Sequence, residues 1–327
     1  MVIARSPLRI TLGGGGTDLP SYYREHEGFV IAAAINKYVY VSVNRPFIRG
    51  IHLKYSEVEF VSSVDEVKHR IMREALRMQN LRTPQIEITT SADIPAGTGL
   101  GSSGSFTTSL LKALHAYRHK LLHPHQLAEM ACHIEIDALR EPIGKQDQYI
   151  AAFGGVTCFR YKRDDSVEAW PLNLKLETLH SLEDNLLLFL TGYSRAASEV
   201  LQEQETRTLG NDREMIENLN MIKELGLESQ KALESGDLRR FAELMNVHWE
   251  HKKKRSGKMT NEKIERWYRL ALDHGAVGGK LIGAGGGGFL MFYAEDKTDL
   301  RKAMAKEGLD EVRFGFDFEG TQVIVHS

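Results

Sequence analysis

Four glycines and three serines fall within Pro95-Ala-Gly-Thr-Gly-Leu-Gly-Ser-Ser-Gly-Ser105, between a strand pattern at 85–90 and a helix pattern that begins at Ser103. A loop of this composition suits an anion. Glycines let the backbone take φ > 0 and come close to a phosphate, and the free N–H groups at the start of the next helix point at it. Serine hydroxyls can donate to the phosphate or ligate a magnesium ion. Gly99-Leu-Gly-Ser-Ser-Gly104 also fits the spacing of dinucleotide and protein-kinase loops, and its context excludes both. The helix is followed by another helical pattern at 124–138, with no strand, and the chain has neither H-R-D nor D-F-G. A Gly-Lys-Ser/Thr loop is absent as well, since Gly279-Lys280 is followed by leucine.

Three further segments carry chemistry. Ser6-Pro-Leu-Arg-Ile-Thr-Leu ends in Gly13–Gly16 and then offers Thr17 and Asp18. A carboxylate placed straight after a close-approaching backbone suits a pair of sugar hydroxyls, while the plainer reading makes Asp18 the cap of a short helix at 19–25. Gly278-Gly-Lys-Leu-Ile-Gly-Ala-Gly-Gly-Gly-Gly-Phe289 links two strands at an entropic cost that a simple turn does not require, which points to backbone packed on a ligand or on another loop. Glu135 to Tyr149 presents Glu135 near a helix end and Asp147 after a Pro142/Gly144 break. An aspartate beside a cation can orient or deprotonate a hydroxyl, although Asp-Gln after a turn is more often a solvated helix start.

The elements that must position these residues read as mixed α/β. Strand patterns lie at 2–12, 29–43, 52–61 and 85–90, helices at 64–78, 103–118 and 124–139, and a hairpin at 154–170. A strand at 185–191 opens a different region. Charged helices follow at 196–225, 238–253 and 261–274, then strands at 279–282 and 289–294, a helix at 298–307 and a last strand at 311–325. The expected boundary lies near Leu172 to Glu183, giving domains 1–178 and 179–327.

A chain of 327 residues with 42% hydrophobic content can build cores for both. Its formal net charge of −2 supplies no general field for nucleic acid or anionic membrane, so any basic site must be local. No run approaches a membrane span and the first residues show no secretory pattern. Two cysteines, Cys132 and Cys158, build no disulfide framework, and a reducing cytoplasm is the expected location.

Taken together and in this order, the motifs resemble those of the galactokinase, homoserine kinase, mevalonate kinase and phosphomevalonate kinase (GHMP) superfamily over nearly the whole chain. The matching features are a Pro-x-Arg strand ending in glycines and Thr-Asp, a Pro-x-x-x-Gly-Leu-Gly-Ser-Ser loop, and a Gly-Ala-Gly-Gly-Gly-Gly run. The resemblance implies an α/β (α+β) two-domain GHMP kinase fold: a ribosomal protein S5 domain 2-like N-terminal domain with a left-handed β-α-β crossover, and a ferredoxin-like C-terminal domain. It implies ATP and Mg²⁺, with Gly97, Gly99, Leu100, Gly101, Ser102, Ser103, Gly104 and Ser105 around the ATP phosphates. Ser103 and Glu135 become the metal ligands, Asp137 being a rival, with Asp147 the catalytic aspartate, Arg9 its cationic partner and Asp18 a sugar ligand.

Gly-Gly-Gly-Thr-Asp-Leu-Pro, Thr191-Gly-Tyr-Ser-Arg195 and Gly279-Lys-Leu-Ile-Gly-Ala further resemble the D-glycero-D-manno-heptose 7-phosphate kinases, which phosphorylate the anomeric hydroxyl. Substrate contacts are expected from Gly14, Gly15, Thr17, Asp18, Arg195, His248, Lys252, Gly285 and Gly286. The basic cluster His248, Lys252, Lys253, Lys254 and Arg255 either receives the sugar's phosphate or forms a solvated helix end. A fucokinase-like or uronic acid kinase and a nucleotide-binding regulator are the rival readings. A small-molecule sugar phosphate is the expected partner, without nucleic acid or membrane, and a homodimer is allowed.

Overall fold

The computed structural model describes residues 1–81, 85–192 and 197–327, so Arg195 lies outside the described residues. In chain order the first part comprises β1 (Val2–Gly13), α1 (Pro20–His26), β2 (Gly28–Asn44), β3 (Ile51–Lys54), β4 (Val58–Val61), α2 (Arg70–Met78), β5 (Ile86–Ala92), α3 (Ser102–Tyr117), α4 (Pro124–Cys132), α5 (Gln146–Phe153), β6 (Val156–Tyr161) and β7 (Val167–Pro171). The second part comprises α6 (Leu176–Asn185), β8 (Leu186–Leu190), α7 (Ala197–Leu209), α8 (Arg213–Ser235), α9 (Leu238–Lys253), α10 (Glu262–Asp273), β9 (Gly278–Leu281), β10 (Phe289–Tyr293), α11 (Thr298–Lys306), β11 (Glu311–Val312) and β12 (Gln322–His326). Among the described residues no helix is long and apolar enough to cross a membrane.

The first sheet runs β12-β1-β2-β5-β3-β4, with β6 on β2 and β7 on β6. Its β3–β5 pairing is parallel and is bridged through α2. The second sheet, in the order β11-β8-β10-β9, is antiparallel throughout and follows the β-α-β-β-α-β path expected of a ferredoxin-like unit.

Several elements differ from the sequence reading for local reasons. The strand expected at 52–61 is a tight hairpin of β3 and β4. The long helix at 196–225 breaks at Gly210 to Asp212, where the Asp212 side chain accepts from Met215 N and starts α8 afresh. The last strand at 311–325 is two short strands, and β12 crosses back to pair with β1. The helix expected at 124–139 ends at Cys132 and continues as a π-helical turn, His133 to Ala138.

A shift of register in β1 matters most. Along Val2 and Ala4 the even residues enter the core shared with α3, α4 and α5, whereas Leu8, Ile10 and Leu12 enter the core toward α8 and α9. The strand has a period of two, so only the irregularity between Pro7 and Leu8 can exchange the faces. Arg9 and Thr11 are thereby turned toward α5.

Candidate functional site

A cleft of about 750 Å³ opens between the two sheets, lined by the glycine turn after β1, the loop before α3, the start of α5, the end of α9 and the glycine run after β9. Arg9, buried at the cleft wall, meets Asp147 in a two-pronged pair: Nε donates to Oδ1 at 2.8 Å and Nη2 to Oδ2 at 3.1 Å. A planar guanidinium fork holds a carboxylate in one orientation as a lysine could not. Arg9 Nη1 also donates to Gly99 O at 2.5 Å, and Arg9 N donates to Leu100 O at 3.0 Å. The charge pair and the glycine loop are therefore joined through Arg9 by both its side chain and its backbone.

Gly101 caps α3 in the left-handed region, with φ +76°, where a Cβ would stand 3.1 Å from Arg9 Cγ and 3.2 Å from Asp147 Cγ. The helix behind it presents its free N–H groups to the cleft. Ser102, Ser103 and Gly104 line the cleft with Gly97, Gly99 and Gly101. Leu100 and Ser105 do not. Leu100 is core, and Ser105 Oγ bonds Pro7 O at 2.6 Å inside the fold.

The glycine run after β9 packs on this loop backbone to backbone. Gly283 has φ +83°, and a Cβ there would lie 2.5 Å from Gly99 Cα, so the run acts as a strap that seats the loop. Gly285 lines the cleft, while Gly286 N is used by Met259 O at 2.8 Å.

Asp18 is buried beside Asp147. It accepts from Gly16 N at 3.0 Å, Gln146 N at 3.2 Å and Gln146 Nε2 at 3.4 Å. Burial above all, and then the charge of Asp147, raises its pKa. Gly15 is also in the cleft wall, whereas Gly14 and Thr17 lie behind it. The Thr17 hydroxyl is consumed inside the fold, its one proton shared between Gly14 O and Phe29 O, both at 2.9 Å, while it accepts from Phe29 N at 3.1 Å.

The π-helical turn places Glu135 inward, where its Oε2 accepts from Ser103 Oγ and its Oε1 from Gln148 Nε2 at 3.2 Å. Burial pushes Glu135 up to about 7, against the hydrogen bonds that favour its charge. Asp137 instead points outward, its Oδ2 lying 3.0 Å from His133 Nδ1 at the surface. Gln148 is fully buried and its Oε1 has no partner. Hard oxygen donors around a buried carboxylate fit Mg²⁺ chemically, yet no three His, Cys, Asp or Glu side chains gather as a metal cage among the described residues.

The basic cluster expected on α9 divides. Lys253 turns out to Glu250 at 2.8 Å and Glu265 at 3.1 Å, and Lys254 is exposed. His248, Lys252 and Arg255 are buried and line the cleft. They are joined by Lys280 of β9, which the sequence offered only as a failed phosphate-loop lysine. Thr11, Gln146 and Gln204 are further cleft residues without a sequence signal, because each is placed by a contact far along the chain.

Comparison with known proteins follows the same geography. The GHMP kinases N terminal domain matches residues 66–155, and the GHMP kinases C terminal domain matches residues 229–308. The chain is 30% identical to D-glycero-alpha-D-manno-heptose 7-phosphate kinase of Campylobacter jejuni, over 97% of both proteins. It is 28% identical to the L-fucokinase/L-fucose-1-P guanylyltransferase of Bacteroides fragilis, over 90% of this chain and 35% of that longer protein. The crystal structure of a D-glycero-D-manno-heptose 1-phosphate kinase from Bacteroides thetaiotaomicron superposes with a TM-score of 0.82 at 27% identity, covering 100% of each chain. The glycine-serine loop and Asp147 fall within one matched domain, and the basic floor and the glycine strap within the other; the chain belongs to the GHMP kinases.

Proposed function

We propose that the protein transfers the γ-phosphoryl group of ATP to the anomeric hydroxyl of D-glycero-D-manno-heptose 7-phosphate, giving the 1,7-bisphosphate. The observation that carries this reading is the Arg9–Asp147 pair, held rigidly between the glycine loop and buried Asp18. Phosphoryl transfer asks for positioning and charge neutralisation more than for covalent chemistry. Asp147 orients the acceptor hydroxyl and receives its proton, Arg9 fixes the carboxylate, and Asp18 anchors a neighbouring hydroxyl. N–H groups at the start of α3 cradle the phosphates, and the wall of Tyr55, His69, Ile71, Leu139 and Ile143 takes the nucleoside. Ser103 and Glu135 would hold Mg²⁺, which when bound neutralises charge developing on the phosphates.

The heptose phosphate is chosen over a plain sugar because the names of the Campylobacter jejuni and Bacteroides thetaiotaomicron proteins both refer to this heptose and to a phosphate. They differ in the phosphate's position. Assay of a panel of sugars and sugar phosphates with Mg-ATP, followed by ³¹P spectroscopy of the product, tests the proposal. Turnover of the heptose 7-phosphate with a new anomeric phosphate is expected, and a preference for an unphosphorylated sugar would overturn the substrate.

A further inference from the structure

The floor of the cleft gathers four basic side chains that no carboxylate pairs among the described residues. His248 and Lys252 lie one turn apart on α9, Arg255 follows the helix end, and Lys280 faces them from β9, all four buried. None forms an ion pair among the described residues; the two lysines lean on backbone carbonyls, and Arg255 on a backbone carbonyl together with the amide oxygens of Asn218 at 3.3 Å and Gln204 at 3.5 Å. Lys252 Nζ donates to Leu281 O at 2.8 Å and Gly283 O at 2.5 Å, Lys280 Nζ to Leu12 O at 2.7 Å, and Arg255 Nη2 to Gly15 O at 3.0 Å. An ammonium has three donors, so Lys280 keeps two beyond this bond.

Carbonyl dipoles do not cancel four dehydrated basic groups crowded together. Burial and the neighbouring Arg255 bring Lys280 down to about 7, and burial with the surrounding cations holds Lys252 and His248 well below their ordinary values. Protonating such groups side by side in a buried place is costly, and a ligand carrying two negative charges on a compact group of acceptors would offset that cost. Phosphate monoesters have this character.

Two observations place such a group on the acceptor side of the cleft. The carbonyls that steady Lys280 and Arg255 belong to Leu12, near the end of β1, and to Gly15, in the turn that follows and carries Asp18. Arg255 also lies close enough to Asp18 for the two charges to interact. The donor side already has its own anion holders at the start of α3.

We propose that Lys280, with Arg255, Lys252 and His248, forms a phosphate-monoester subsite for the sugar substrate, and that Lys280 sets the preference for a phosphorylated sugar over a plain one. The proposal rests on the kinase reading above and adds the residues that read the substrate's far end. Its sources of phosphate are the sugar ester or the nucleotide's terminal group, and competition distinguishes them. Calorimetry with inorganic phosphate on the full chain, without nucleotide, is expected to show binding at one site. Phosphate is then expected to inhibit turnover in competition with the sugar phosphate and not with ATP. Lys280→Met is expected to weaken phosphate binding and raise KM for the phosphorylated sugar by about tenfold or more, with KM for ATP changed less than about twofold. Lys254→Met, at the surface, should match the wild type.

Absence of phosphate binding to the wild type, competition with ATP instead, or an equal rise of KM for plain and phosphorylated sugars in Lys280→Met would overturn the subsite. The first two are read on unaltered protein and do not depend on how the variant folds. A wild-type preference for a plain sugar would sink the heptose phosphate assignment, while phosphate binding measured without any sugar still decides whether the subsite exists.

Discussion

The two walls of the cleft handle buried charge in opposite ways. On the loop side, Arg9 and Asp147 neutralise each other through two hydrogen bonds, and a third bond ties the guanidinium to the glycine loop. On the floor, Lys252, Arg255 and Lys280 are as buried as Arg9 and have backbone and amide carbonyl oxygens in place of carboxylates. A paired charge is a fixed part, kept in place whether or not a ligand is present. An unpaired one stores an electrostatic cost that the right ligand removes, so it makes the site selective.

If that contrast is right, removing the reacting member of the fixed pair should have the largest effect. Asp147→Asn is expected to lower kcat on the order of 100-fold or more while calorimetry finds ATP affinity within about twofold of wild type, because the carboxylate acts on the acceptor. Near-normal kcat would remove Asp147 from the reaction centre.

The strap offers the next test. Gly283→Ala puts a Cβ 2.5 Å from Gly99 Cα in a backbone region unsuited to it, and the phosphate loop must yield. ATP binding should weaken by about tenfold, with a smaller change in sugar affinity. A variant that spares ATP and harms the sugar would reassign the strap to the floor.

The floor itself predicts a dependence on pH. Lys280 has a folded value near 7, below the ordinary 10.5, so between those values the unfolded chain binds the proton and the native state does not. Its stability contribution is full above about pH 10.5 and falls away as the pH drops toward 7. Lys252 and His248, lowered for the same reason, act in the same direction over their own ranges. Thermal unfolding should therefore show the wild type gaining a few degrees relative to Lys280→Met between about pH 7 and pH 10. Parallel curves would mean that Lys280 is not electrostatically strained.

The smallest effect belongs to the surface half of the same basic run. Lys253→Met breaks partly exposed pairs with Glu250 and Glu265, and should cost no more than about 1 kcal/mol in denaturant unfolding while leaving KM values unchanged. A rise in KM for the sugar phosphate would extend the binding floor outward.

Much of the candidate site was legible in the chain. The loop at 95–105, the Thr-Asp after β1 and the glycine run near the C-terminus are local signals, since each depends on the conformations that glycine permits and on the type of residue beside it. The turn that holds Asp18 and the loop that carries Ser103 lie where those signals put them. Other residues gave no such signal. Thr17 and Asp18 are adjacent and look equally polar, yet Thr17 spends its hydroxyl on the backbone of β2 while Asp18 faces the cleft. Lys252, Lys253 and Lys254 read as one run, and only Lys252 turns inward.

Composition and local motif determined the mixed α/β class, the anion loop and the existence of a basic region on α9, because backbone freedom and residue type are properties of short segments. Tertiary structure decided which charges face which. The register shift in β1 turns Arg9 toward Asp147, the π-helical turn carries Glu135 to Ser103, and the pairing of β9 with β10 brings Lys280 to Arg255 across a gap of 25 residues. Each of these depends on a one-residue change of phase or on a contact between distant segments, and a side chain's partner follows from the geometry of elements that no local window contains.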